Sequence, residues 1–268
     1  MSTAFSGETR KMQCPHVIHI SPHPDDEAVG APATLLAFRD RGIPVANIVT
    51  SLGAPADRDR RRAEVLEAGR IGGLRVEILE EVIAGDPAGY EEAVTAAILA
   101  ATSNVSAPVI LVSPSPHDKH PRHEAVGRAT AAAAVKLGDT AVWWMYSVWG
   151  ALPLPTAYLP FGGELMGRAD RLLSAYVGEI DRNDYRRLVR GRSMAASVLG
   201  AEQIFGFGST NDFAEPYAEL FTEVGYRNGK WLAGIPRCIN PSAPITEMSD
   251  RDITSWVTGR SPSDLVAW

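Results

Sequence analysis

Five short apolar runs, each followed by a stretch with helical spacing or a loop, set the rhythm of residues 1–150. The runs are His16–Ile20, Val45–Thr50, Arg75–Leu79, Val109–Val112 and Val142–Val148. Between them, apolar residues recur at helical intervals over Asp25–Arg41, Arg60–Ile71, Tyr90–Thr102 and Glu124–Leu137. Glycines close three of these stretches, at Gly42, Gly72-Gly73 and Gly138. Strands that alternate with helices in this way predict crossover units and a parallel sheet covered on both faces. The expected fold is therefore α/β, a Rossmann-like, doubly wound, mainly parallel sheet. In the strand order 3-2-1-4-5 the first and fourth strands are neighbours, and their connections leave in opposite directions. That divergence opens a crevice at the strand ends, where ligands bind in such folds.

Beyond residue 150 the pattern loosens into Pro- and Gly-rich loops such as Leu152-Pro153-Leu154-Pro155 and Pro160-Phe161-Gly162-Gly163. Helical spacing returns between Arg168 and Gly200, and a further helix is expected over Glu215–Phe221. The tryptophans (Trp143, Trp144, Trp149, Trp231, Trp256 and Trp268) all fall late in the chain. Most are expected to fill a less regular core, with a few, Trp149 among them, lining a cleft. We read residues 1–150 as a metal-binding catalytic core. Residues 151–268 are read as an irregular, aromatic-rich elaboration packed on that core within the same domain and contributing to the substrate cleft.

A net charge of −6 implies no basic face and argues against nucleic acid as a partner. The two cysteines, Cys14 and Cys238, are in no metal or redox spacing and read as free thiols. Met1–Gln13 lacks the apolar core of a signal peptide, and no apolar run nears the ~18 residues of a transmembrane segment. A cytoplasmic protein with no transmembrane segment is expected.

The histidines are not scattered. All six fall in or just before two clusters, Ser21-Pro22-His23-Pro24-Asp25-Asp26-Glu27 and His117-Asp118-Lys119-His120-Pro121-Arg122-His123. The clusters follow the first and fourth apolar runs, so the expected topology brings them together. His23 and Asp26 are three residues apart, as are His120 and His123, and such a spacing projects from one face of a helical turn. Two imidazoles and a carboxylate suit Zn2+ and leave a position open for water. Asp25, beside Asp26, would be free as a general base, and a further imidazole could stabilise an oxyanion. His16 and His19, inside the first strand, read as structural, and His117 is open between the two roles.

The residues Pro22-His23-Pro24-Asp25-Asp26-Glu27 and His120-Pro121-Arg122-His123 resemble the signature of the PIG-L/LmbE-like zinc deacetylases. Thr50-Ser51-Leu52-Gly53 and Arg61 with Glu64, Ala68 and Gly72-Gly73 add to the likeness. The resemblance implies a Rossmann-like fold and removal of an acetyl group from an N-acetylglucosamine unit. It assigns His23, Asp26 and His123 to the metal, Asp25 to the general base, His120 to the oxyanion and Arg61 to substrate anchoring. Where the family carries Asp before its last histidine, this chain has Arg122, and Asp118 is expected to orient His120 in its stead or to meet substrate. The chain as a whole looks similar to the branch that deacetylates N-acetylglucosaminyl pseudoaglycones of glycopeptide antibiotics. An N-acetylglucosaminyl-inositol thiol precursor is the alternative substrate.

Other classes stay open. Two histidines and a carboxylate also form the facial triad of non-haem iron oxygenases, which the α/β pattern disfavours. A non-catalytic sugar-binding module could retain the same fold. No Gly-x-Gly-x-x-Gly follows the first strand, and no Gly-x-Ser-x-Gly elbow is present.

Overall fold

The computed structural model describes residues 15–79, 86–209 and 215–259. Cys14, Trp268 and the Met1–Gln13 stretch lie outside the described residues. The first part runs β1 (His16–Ser21), α1 (Asp26–Gly30), α2 (Pro32–Asp40), β2 (Val45–Val49), α3 (Arg58–Gly72) and β3 (Arg75–Ile78). It continues through α4 (Pro87–Thr102), β4 (Val109–Pro114), α5 (Pro121–Leu137) and β5 (Ala141–Tyr146). These five strands are parallel and stand in the order β3-β2-β1-β4-β5.

Alternate residues of the strands enter two separate cores. Val17, Ile110 and Trp144 point to the face packed by α2, α3 and α6 (Gly163–Leu173). Ile18, Leu111 and Trp143 point to the face packed by α4 and α5. Strands buried on both sides have no polar face to alternate with, which is why they read as nearly continuous apolar runs. The indoles of Trp143 and Trp144 are fully buried, and each N–H finds an acceptor. Trp143 donates to Ser113 Oγ at 2.8 Å, and Trp144 to Glu223 Oε1 at 3.1 Å.

Beyond β5 the chain forms β6 (Ala157–Phe161), α7 (Val177–Arg182), α8 (Tyr185–Phe205) and β7 (Tyr217–Arg227). It then forms β8 (Lys230–Gly234), β9 (Arg237–Cys238), β10 (Met248–Asp252) and α9 (Thr254–Val257). Strands β7, β8 and β10 extend the same sheet antiparallel beyond β5. Glu215–Phe221 therefore does not form a helix; most of it begins β7. The reason is the β5 edge, whose backbone groups are buried and need ladder partners, and β7 supplies them.

Two expected helices are also broken. Asp25–Arg41 splits at Ala31, because Pro32 opens α2 and disfavours a helical residue before it. The amides of Ala33 and Thr34, left without partners at that new N-terminus, donate to Glu219 of β7 at 2.8 and 2.9 Å. The 168–200 stretch holds parts of three helices, α6, α7 and α8, and the short α7 carries residues of the site described next. No helix among the described residues is long and apolar enough to cross a membrane.

Candidate metal centre

Both histidine clusters sit where β1 and β4 end. Their pairing, from His16↔Val109 to His19↔Val112, fixes the two strands side by side, and each chain then turns into its own helix. His23 lies in the turn before α1, and its amide donates to Asp26 Oδ2 at 2.7 Å. His120 caps α5, and His123 lies in its first turn. One donor atom from each of His23, Asp26 and His123 falls within 4.8 Å of the others. Asp26 Oδ2 is 3.3 Å from His23 Nδ1, and Asp26 Oδ1 is 3.3 Å from His123 Nε2. Two imidazole nitrogens and a carboxylate oxygen so placed fit a zinc-type ion with one position left open.

Charge is shared unevenly around these atoms. Burial would raise the Asp26 carboxyl, but His123 and His23 hold it well below the usual carboxylate range. Burial would lower His123, but Asp26 and Asp118 on either side push it up to about 10. Asp25, next to Asp26 and 8% exposed, goes the other way. Burial and the carboxylates of Asp26, Glu179 and Glu27 hold it well above the usual range. His120 is lowered to about 4 by burial and by the neighbouring His123 and His23 rings. Its ring stands edge-on to His23 and tilted to His123, with centroids 4.9 and 4.8 Å away.

Asp118 does neither of the things expected of it. It is fully buried and out of reach of a substrate, and its Oδ2 bonds to His123 Nδ1 at 2.8 Å rather than to His120. Its Oδ1 accepts from the amides of Val148, Trp149 and Gly150 at 2.7–3.0 Å and from the Ser147 hydroxyl. The carboxylate is thus locked by the loop after β5 and aims the His123 ring, as carboxylates behind metal-binding histidines do. His120 Nδ1 is buried with no hydrogen-bond partner. Arg122 turns away, its guanidinium 4.2 Å from the Tyr90 ring. Asp118→Asn is expected to weaken zinc binding by about 10–100-fold, because its NH2 facing His123 would favour the wrong tautomer. Competition with a chromophoric chelator measures this, and unchanged affinity would remove the orienting role.

A cavity of about 360 Å³ opens over these residues. His23, Asp25, Asp26, His120 and His123 line it, together with Arg61 and Trp149. Trp149 is 43% exposed and presents its ring to Tyr185 at 6.4 Å. Arg61 is not a solvated charge. It donates to Glu179 Oε1 at 2.7 Å and approaches the Leu52 carbonyl at 3.4 Å. Gly53, at φ +75°, leaves room for that guanidinium where a Cβ would collide with it.

Glu179, Arg182 and Tyr185 also line the cavity, and sequence reasoning missed all three. They come from α7 and the start of α8, where helical spacing alone gave no sign of chemistry. Glu179 takes both Arg61 and Arg182, the latter at 3.0 Å. The Tyr176 hydroxyl, donating to buried Glu27, ties α7 to α1. His19 and His117 are structural. His19 is buried against Asn47 and lowered to about 4 by burial, and His117 bonds to the Trp256 carbonyl at 2.7 Å.

Residues 18–134 match the family model described as PIG-L, GlcNAc-PI de-N-acetylase. The chain carries a PIG-L family domain. No curated protein matches it. Among solved structures, the chain superposes on N,N'-diacetylchitobiose deacetylase from Pyrococcus horikoshii with a TM-score of 0.58. The identity is 16%, over 79% of this chain and 84% of that one. A zinc-inhibited form of teicoplanin deacetylase gives 0.56 at 15% identity, over 78% and 98% of the two chains. The 4-carboxy-2-hydroxymuconate hydratase of Pseudomonas putida gives 0.60 at 14% identity, over 80% and 97%. These likenesses show the α/β fold that the PIG-L domain shares with them.

Proposed function

We propose that the protein removes the acetyl group from an N-acetylglucosaminyl unit by metal-assisted amide hydrolysis, most specifically on a glycopeptide antibiotic pseudoaglycone. The observation that carries this reading is a free carboxyl, Asp25, in one cavity with a donor set of two histidines and an aspartate. His23, Asp26 and His123 would hold Zn2+, which when bound lowers the pKa of a water towards about 7 and polarises the amide carbonyl. Asp25 takes the proton of the attacking water and returns it to the departing sugar nitrogen. A carboxyl raised by burial is suited to hold that proton between the two steps.

His120, neutral at pH 7, is read as donating a hydrogen bond to the oxyanion that forms on the amide carbonyl. No ring or backbone partner competes for its buried nitrogen, so packing alone fixes its plane. Arg61, held by Glu179, and the exposed face of Trp149 are read as the contacts for the sugar. The cavity's volume suits a sugar unit, with the bulk of a large aglycone outside. That Glu179, Arg182 and Tyr185 lie beyond residue 150 supports reading residues 151–268 as part of the substrate cleft.

The test is to load the protein with zinc and incubate it separately with an N-acetylglucosaminyl glycopeptide pseudoaglycone and with N-acetylglucosaminyl-inositol. Acetate release from the pseudoaglycone is expected. Release from the inositol compound alone would move the substrate, and no acetate from either by a zinc-loaded protein would end the deacetylase reading.

A further inference from the structure

The three metal-binding side chains come from two segments far apart in sequence, and β1–β4 pairing fixes those segments only up to the strand ends. Above the strand ends, one guanidinium bridges them. Arg192 of α8 donates from Nη1 to the Val29 carbonyl at 3.1 Å and from Nη2 to the Ser147 carbonyl. Val29 lies one helical turn beyond Asp25, to whose carbonyl its own amide bonds at 2.9 Å. It therefore belongs to the rigid turn that carries Asp26. Ser147 opens the loop whose hydroxyl and amides clamp Asp118, and Asp118 aims His123.

We infer that Arg192 is a positioning residue that sets the gap between Asp26 and His123, and through it the metal affinity of the centre. The inference rests on the metal-centre reading and is independent of which substrate is cleaved. A planar guanidinium holds two carbonyls in a fixed relation, whereas a lysine ammonium on a flexible stem is a single point contact. Metal sites tolerate errors of only about 0.2 Å in ligand distance. A small drift of the loop after β5 against α1 is therefore enough to weaken binding.

The experiment compares Arg192→Met and Arg192→Lys with Arg227→Met. Arg227 also donates to backbone carbonyls, those of Gly138 and Tyr226 at 2.9 and 2.8 Å, but at the opposite end of β5. For each protein the zinc Kd is measured by chelator competition, and Tm is measured on the metal-free form. Both Met variants should lower the metal-free Tm. Only Arg192→Met should weaken zinc, by about tenfold, the low end for residues behind metal ligands, with Arg192→Lys intermediate. Zinc affinity within twofold of wild type in folded Arg192→Met, or equal weakening by Arg227→Met, would overturn the role. Should Arg192→Met not fold, the Lys variant, which keeps the charge and can keep one contact, carries the comparison. A wild type that takes no zinc would overturn the centre itself and Arg192's role with it, a result recognisable because all the proteins fail alike.

Discussion

His123→Gln is expected to remove zinc from the protein and to lower deacetylation by about 1,000-fold or more. His123 touches both of the carboxylates that organise the centre, Asp26 through Nε2 and Asp118 through Nδ1. Losing one of three donors leaves too few to hold the ion, and metal polarisation contributes several kcal/mol to such a reaction. Each ~1.4 kcal/mol is a factor of ten in rate, so about 4 kcal/mol gives the figure stated. Glutamine is preferred to alanine because its amide can still donate to Asp118. Alanine would leave two buried carboxylates uncompensated, a change that destabilises by about 3–5 kcal/mol where a buried pair is broken. Elemental analysis after dialysis, alongside acetate release, checks the expectation. A His123→Gln protein that keeps near-stoichiometric zinc would show that the donor set is wrong.

Asp25→Asn should separate the chemistry from the metal. The amide keeps the shape of the carboxyl but cannot accept the water's proton, and turnover should fall by about 10²–10⁴-fold with zinc content unchanged. Asp25 crowds against Asp26, Glu27 and Glu179, all of one sign. Neutralising it relieves that repulsion, so the metal-free variant should melt no lower than the wild type. Turnover within threefold of wild type would transfer the proton-accepting role to another group, with Glu179, a carboxylate lining the same cavity, the candidate. A biological effect that persists despite lost turnover would favour a sugar-binding module.

The two variants probe parts of the site that were legible in different degrees. Residue type and spacing brought out His23, Asp26, His120 and His123 as candidates for a metal, and the family resemblance chose His123 over His120. Asp25 followed as the carboxylate left over. The place of Asp118 did not follow. Its partner depends on the loop 147–150 folding back over β4, and nothing local to Asp118 announces that contact. Arg61 was visible only through family resemblance, and its burial against Glu179 came from a helix that spacing merged into a longer one.

The same division runs through the fold. The alternation of apolar runs and helical stretches pointed to a parallel sheet covered on both faces, because strands buried on both faces and helices buried on one carry different periods. The order β3-β2-β1-β4-β5 comes from the common doubly wound topology, and the structure has it. Given that order, the places of the two histidine clusters after the first and fourth strands bring them together at the switch point. Only the tertiary structure decided that residues 217–227 form a strand, since the need was set by the unpaired edge of β5 and not by their own pattern. It also decided which late residues, Glu179, Arg182 and Tyr185, line the cavity over the centre. Periodicity records how much of an element is buried; which distant element buries it is settled by packing and by the search of buried polar groups for partners.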